Sequence, residues 1–433
     1  MLMYLPNLKT SLLASMIAIL CACNSEIDDI ANKNDEQTDH HDHSEVTSTG
    51  RLAISHADTA NVSIFDTDDN ALLEMFNTAN IVSGLYASPT NRFAVLIQRA
   101  DNYVEFIDGG LYREDHGDHL HDYKQAPSLS SFTLTSDKPT HFDVSEQQAA
   151  LFFDGNIDAG IPASFAILTD ESIVNGETLA THNFANAMHG TAQIRGDSVI
   201  TTYRTEDTTN TLPNYVEQLH IHGDHFHQEQ RFELDCPALH GSAQNHQHIA
   251  FGCADGVLII TEQDGEFNAA KINNLDDFAV GARIGTLKGS EHSELFLGIA
   301  QSKLFYTVDP KAGAMTQLAW QQDTENTLLA SALDSITGEF YVLESDGFLS
   351  ILNAEDDWQV SARFQVLENP TGNYALAASA VDDTLYIAEA NSQTVLSVDT
   401  HEQAAEIILN LDFTPNKITW LGIAEESDEE HNH

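Results

Sequence analysis

Apolar residues in this chain fall in short runs separated by Asp, Asn and Gly, and no long stretch keeps a convincing helical period. From Tyr86 onward the runs are grouped. A first short run is followed about ten residues later by a second, as in Phe93-Ala-Val-Leu-Ile, Leu151-Phe-Phe, Val199-Ile-Thr and Ile249-Ala-Phe. The same holds for Leu295-Phe-Leu-Gly-Ile, Phe340-Tyr-Val-Leu and Leu385-Tyr-Ile-Ala. A third and a fourth run follow, such as Phe348-Leu-Ser-Ile-Leu and then Trp358-Gln-Val-Ser-Ala-Arg-Phe. Four short strands per unit with tight turns between them are the pattern of an all-β propeller blade. Residues 51–76 supply three strands with no first strand before them, and Lys417-Ile-Thr-Trp-Leu-Gly-Ile supplies a lone first strand at the other end. Together they make one composite blade, which closes the ring and removes its open sheet edges. The expected fold is therefore an all-β propeller over residues 51–424 with about eight four-stranded blades, seven being the fallback.

The first fifty residues do not share this pattern. Lys9 precedes an apolar run from Ser11 to Ala22, too short to span a bilayer as a helix but of the length of a signal-peptide core. It ends Leu20-Cys-Ala-Cys23, which resembles a bacterial lipobox with Cys23 as the lipidated residue. Residues 1–22 read as a lipoprotein signal peptide, and 23–50 as a polar, acidic tether without a packed core. Asn24 after the cysteine favours the outer membrane of a Gram-negative bacterium, by resemblance to lipoprotein sorting signals. Residues 425–433 form an acidic tail containing histidine.

Two further cysteines remain, Cys236 and Cys253. The strand register puts them about a turn centred on Gln244-Asn245, where opposed residues of an antiparallel pair come within disulfide range. An exported protein keeps such a bond. Metal ligation is the competing reading, although the Cys-x-x-Cys spacing is missing. A formal net charge of −49 excludes a general nucleic-acid binder and favours cations, while also serving solubility.

The histidines narrow the chemistry further. Thr140-His141-Phe142, Met188-His189-Gly190 and Leu239-His240-Gly241 open three consecutive repeats, with 48 and then 51 residues between histidines. Equivalent positions in a closed ring surround a common axis, so His141, His189 and His240 are candidates for one metal site. Side chains of an innermost strand also alternate towards neighbouring blades, and histidines hydrogen-bonded inside blade interfaces are the competing reading. An insertion of about eighteen residues in the second blade carries Glu114-Asp-His116-Gly-Asp-His119-Leu-His121. Such a long loop implies a role, and folded across the ring it would complete the ligand set. In the fourth blade, His220, His222, His225 and His227 flank Gly223-Asp224. A two-residue hairpin turn there puts all four imidazoles on one face, as a second, surface metal site. Imidazole with carboxylate suits zinc, with copper(II) and nickel as competitors. His40, His41 and His43 add a group in the tether.

With the insertion motif, the His-Gly openings at His189 and His240 and the histidine-rich N-terminal segment in one exported propeller, the chain resembles the AztD type of periplasmic zinc metallochaperone from about residue 50 to 424. The resemblance implies a protein that binds zinc and passes it to the zinc-binding solute-binding subunit of an ABC importer. It implies ligands among His116, His119, His121, His189 and His240, with His40, His41 and His43 as a mobile capture segment. His141 and the His220–His227 hairpin have no assigned counterpart, and a lipid anchor departs from the soluble members of the family. A monomer in the periplasm is expected, touching the membrane only through its anchor. If ordinary histidines hold the metal, affinity is expected to fall steeply between about pH 7 and pH 5.5.

Enzymatic alternatives are a metal-dependent hydrolase or lyase built on the same histidines. No Gly-x-Ser-x-Gly motif is present, and Trp320, Trp358 and Trp420 are too few for the repeated tryptophan docking motif of quinoprotein propellers. A non-enzyme is therefore expected. A cell-surface platform for protein partners is the remaining alternative.

Overall fold

The computed structural model describes residues 46–117, 119–206 and 210–424. The expected signal peptide, Cys23, the tether histidines His40, His41 and His43 and the acidic tail lie outside the described residues.

Eight four-stranded antiparallel sheets account for nearly all regular structure, with one extra two-stranded hairpin. Eight blades, not seven, make up the ring. The composite blade is as expected: Pro415–Leu421 is its innermost strand and pairs with Arg51–His56, followed outward by Asn61–Asp66 and Leu72–Asn77. Numbering this as blade 1, the innermost strands of blades 2 to 8 are Gly84–Ala87, Pro139–Ser145, Ala192–Arg195, Ser242–Gln244, Thr286–Lys288, Leu328–Leu333 and Tyr374–Ala378.

The second strand of each blade reads as a continuous apolar run because both of its faces are covered by neighbouring blades. Phe93–Gln98 and Phe296–Ala300 are buried at every position. The outermost strand of blade 1, Leu72–Asn77, is exposed along most of its length. Eight hydrophobic clusters join successive blades, one per interface, including the closing interface of Leu52, Ile54 and Trp420 with Tyr386 and Val395. Each fully buried Phe in them, such as Phe106, Phe152 or Phe305, contributes about 2–3 kcal/mol by leaving water.

Residues 46–50, assigned above to the tether, already belong to the ring. Thr49 accepts a hydrogen bond from the Trp420 indole at 2.9 Å and donates through its backbone N–H to Asp68 at 2.7 Å. Gly50 has φ +109, and a side chain there would collide with the Trp420 ring.

Strand polarity gives the ring two distinct rims. The first strand of every blade starts at an entry rim, which also carries the second-to-third turns. The first-to-second and third-to-fourth turns lie at the far rim. Because Leu421 and Arg51 are partners in blade 1, both ends of the described chain emerge at the far rim.

Cys236 and Cys253 form a disulfide with Cα atoms 4.9 Å apart. Cys253 ends the second strand of blade 5, and Cys236 lies in the segment leading to that blade's first strand. Both are buried with Phe232, Leu239 and Phe251. For a loop of this length, the Cys236→Ser/Cys253→Ser variant is expected to lose about 3 kcal/mol in denaturant unfolding. Equal stability of the oxidised protein and the variant would show that the bond constrains nothing that folding does not already constrain.

Candidate metal centre

Three different local devices bring His141, His189 and His240 to one point. In blade 3 the register slips between Pro139 and Phe142, so Thr140 and His141 together oppose Phe152. Such a bulge re-aims a side chain out of the regular alternation. His189 and His240 instead precede their strands, held by backbone bonds from His189 N–H to Thr211 and from His240 N–H to Gly252. The glycines that follow serve close approach. A side chain at Gly190 would strike Thr202 and the Phe152 ring, and Gly241, at φ +78, lies against the Gly285 carbonyl.

The Nε2 atoms of His141 and His189 are 3.4 Å apart, and those of His189 and His240 are 3.3 Å apart. Tetrahedral zinc bound at about 2.0–2.1 Å to each nitrogen would set ligand nitrogens about 3.3 Å apart and ring centroids about 5 Å apart. The centroids here are 4.9, 5.1 and 6.2 Å apart. Among the described residues no three such donors form a finished coordination shell. Here two separations match that spacing, and the third pair, His141 and His240, stands farther apart.

Hydrogen bonds on the other ring nitrogens decide where the lone pairs are. His189 Nδ1 donates to Asp154 Oδ2 at 2.9 Å, and the same oxygen accepts from Arg99 at 2.6 Å. His240 Nδ1 donates to the Gly285 carbonyl at 2.8 Å. With the proton on Nδ1, a neutral imidazole presents a bare lone pair at Nε2. The facing lone pairs of His189 and His240 repel each other, and a cation between them removes that repulsion. A carboxylate behind a histidine is also the usual outer support of a zinc ligand.

Burial favours the uncharged form of His141 and of His240. It lowers the His141 pKa to about 4, helped by the neighbouring His189 and His240 and opposed by Asp154. It also lowers that of His240, against the opposing effect of the Gly285 hydrogen bond. One strand period further in, Asp143, Thr191 and Ser242 form a second polar layer. Thr191 Oγ1 donates to Asp143 at 2.9 Å and lies 2.9 Å from Ser242, which also accepts from Gln193 at 2.8 Å. Burial raises the Asp143 pKa to about 6, against the opposing effect of bonds from Thr191 and Gln193 and the charge of Lys288. His240 also lines a cleft with Arg283, Gln301 and Ser331, so that ring is reached from solvent.

The insertion does not complete this set. It forms a hairpin, Leu111–Asp115 with Leu120–Lys124, between the third and fourth strands of blade 2 and therefore at the far rim. Its contacts agree with that placement: Lys124 pairs with Asp68 at 2.8 Å, and Arg113 and Asp122 line a cleft with Ser48 and Ile423. The first strand of blade 3 runs from rim to rim over roughly 20 Å, so His119 and His121 stand away from the triad. The expectation that the loop folds across to join His141, His189 and His240 is corrected. The blades supply one cluster and the hairpin another, because a third-to-fourth connection emerges where first strands end. Within the hairpin, the His116 ring is 5.4 Å from His119 and 6.0 Å from His121. His116 also reaches Tyr123 at 3.3 Å and Glu114 at 3.8 Å, and His121 Nδ1 is shielded from solvent without a hydrogen-bond partner among the described residues.

The hairpin of blade 4 turns at Gly223-Asp224 as expected, pairing His222 with His225 and His220 with His227. Ring contacts join His222, His225 and His227, whereas His220 lines the adjacent groove with Gln218 and Glu262. Asp154, Arg99 and Gly285 were not singled out from sequence. The one available signal was the position of Asp154, directly after the apolar run Leu151-Phe-Phe of the repeat that opens on His141.

No family model matches the chain. Over 305 residues it is 28% identical to the zinc chaperone AztD of Citrobacter koseri, covering 69% of this chain and 68% of that protein. The crystal structure of Citrobacter koseri AztD superposes with a TM-score of 0.72 at 21% identity, covering 87% of this chain and 99% of that one. The structure of the apo form gives the same TM-score over 88% and 100% of the two chains. A dihydro-heme d1 dehydrogenase, NirN, shares the fold more distantly, with a TM-score of 0.57 at 11% identity over 86% of this chain and 75% of that one. The resemblance read from the sequence is borne out.

The pKa of His141 makes a signed prediction. Below pH 6.5 the unfolded chain protonates this histidine, while the folded protein resists protonation down to about pH 4, so its burial costs stability progressively as pH falls through that window. Asp143 acts in the opposite sense, because its raised folded pKa lets the folded protein keep a proton that the unfolded chain releases. A His141→Gln variant keeps Asp143 and removes the histidine. Its denaturant midpoint should therefore decline less than that of the parent between pH 6.5 and about pH 4.5, and parallel curves would contradict the assigned burial.

Proposed function

We propose that this protein is an exported zinc chaperone: a non-enzymatic propeller that holds Zn(II) on His141, His189 and His240 and passes it to the zinc-binding subunit of an ABC importer. The observation that carries this reading is the triad itself, with Nε2 separations of 3.4 and 3.3 Å and Asp154 behind His189. A relative named as a zinc chaperone supports both the metal and the absence of turnover. Periplasmic residence agrees with the disulfide and with the export segment expected at residues 1–22, and Cys23 would carry the lipid.

Zinc is cargo in this scheme. Three imidazole ligands leave a fourth coordination position open, so an incoming ligand from the acceptor binds before any histidine lets go. The ligands then exchange one at a time, and no step requires a bare ion in water. His189 is fixed by Asp154 and His240 by Gly285, which keeps both lone pairs aimed while His141 changes partner. His116, His119 and His121 form a separate station at the far rim. The described chain begins at Val46, which lines a cleft with Arg113 and Asp122 of that hairpin.

Competition with a chelator tests the reading. The full chain should hold about one tight equivalent of zinc that the His141→Ala/His189→Ala/His240→Ala variant lacks while its far-ultraviolet circular dichroism is unchanged. Tight zinc retained in that variant would remove the triad from the mechanism. Asp154→Asn should weaken the tight site by about 10–100-fold without changing its stoichiometry. Because burial lowers the pKa values of His141 and His240, zinc release should occur below the pH 7–5.5 interval expected of ordinary histidines. Release complete by pH 5.5 would assign the tight zinc to other ligands.

A further inference from the structure

We infer that His222, His225 and His227, at the tip of the blade 4 hairpin, form a further divalent-cation site, separate from the triad and from the blade 2 insertion. The claim stands on the geometry of this hairpin and not on the chaperone reading. The three ring centroids are 5.6, 5.7 and 5.1 Å apart, so all three pairs lie near the spacing of about 5 Å that imidazoles adopt around one tetrahedral zinc. His222 and His225 are directly opposed across the two-residue turn, and His227 follows His225 by one strand period on the same face.

The backbone beneath them is fixed. Gly223 takes φ +69 at the first turn position, as a tight hairpin of this kind demands. On the opposite face, Ile221 and Phe226 pack against blade 3, with Phe226 5.0 Å from the Phe165 ring, and Ile221 N–H bonds the Asp197 carbonyl at 2.8 Å. The histidine rings themselves are exposed, and His225 Nδ1 lies 3.1 Å from Asp224 Oδ1, which leaves its Nε2 available. Directing one nitrogen of each towards a common point therefore costs side-chain rotamer freedom but no backbone movement. The neighbouring groove carries Asp197, Glu229, Glu262 and Glu266, whose charge concentrates cations at this edge of the ring. Three exposed imidazoles with open coordination positions suit a borderline ion such as zinc, held more loosely than in the buried triad and quickly exchanged.

Carbethoxylation of histidines in the full chain, mapped by mass spectrometry across a zinc titration, reads each ring separately. The expected result is that His222, His225 and His227 become protected together, at one common zinc concentration distinct from that protecting His189. In a His225→Ala variant the concentration protecting His222 and His227 should rise at least about tenfold, while His220→Ala leaves it unchanged. Unchanged reactivity of the hairpin at zinc concentrations that saturate the triad a hundredfold would overturn the site, as would protection indifferent to His225→Ala. The triad is scored in the same spectra, so either site can fail without the other. The buried His56, in blade 1, reports whether the fold is intact, because it becomes reactive only on unfolding.

Discussion

Closure of the ring is the constraint on which everything else rests. The second strand of a blade is apolar on both faces, so a blade standing alone would leave one face of its best hydrophobic strand in water. Only a neighbour on each side covers it, and only a closed ring gives every blade two neighbours. Pro415–Leu421 closes the circle by pairing with Arg51–His56 from the other end of the described chain. The closing interface is packed like the others, around Trp420 and Tyr386. Closure also fixes each first strand at the same distance from the axis, which lets side chains far apart in sequence meet.

The triad exploits that position at an electrostatic cost. Imidazole lone pairs that face one another are an unfavourable arrangement, and the Nδ1 bonds of His189 and His240 hold those rings in that orientation. The fold supplies the stability that holds them there. In exchange, the site has its largest gain to make from a cation. Burial contributes in the same direction by keeping protons, the commonest competitors for these lone pairs, off the nitrogens.

The two rims divide the three histidine clusters by what holds them. At the entry rim they sit on first strands or just before them, supported by Asp154, Arg99 and backbone carbonyls. At the far rim they sit on hairpins that project from the third and fourth strands, with solvent on one side. The first group is buried and oriented, and the second is exposed. The net charge of −49 surrounds both with a field that attracts cations.

The repeat of short apolar runs was enough to determine the propeller architecture and the composite blade, because a strand covered on both faces must be apolar throughout and the turns between strands need Asp, Asn or Gly. The equivalence of His141, His189 and His240 was legible for the same reason: it follows from register. Their convergence was not. It depends on a bulge at His141 and on glycines whose need shows only when Phe152 and the Gly285 carbonyl press against them. The partition of the remaining histidines was equally beyond a linear reading. Whether His119 reaches the triad depends on which rim its loop leaves from, and whether His220 joins His222 depends on the neighbouring blade. Sequence spacing determines which residues occupy equivalent places in a repeat. The direction of each side chain depends on the packing of the blade beside it, and only the tertiary structure supplies that.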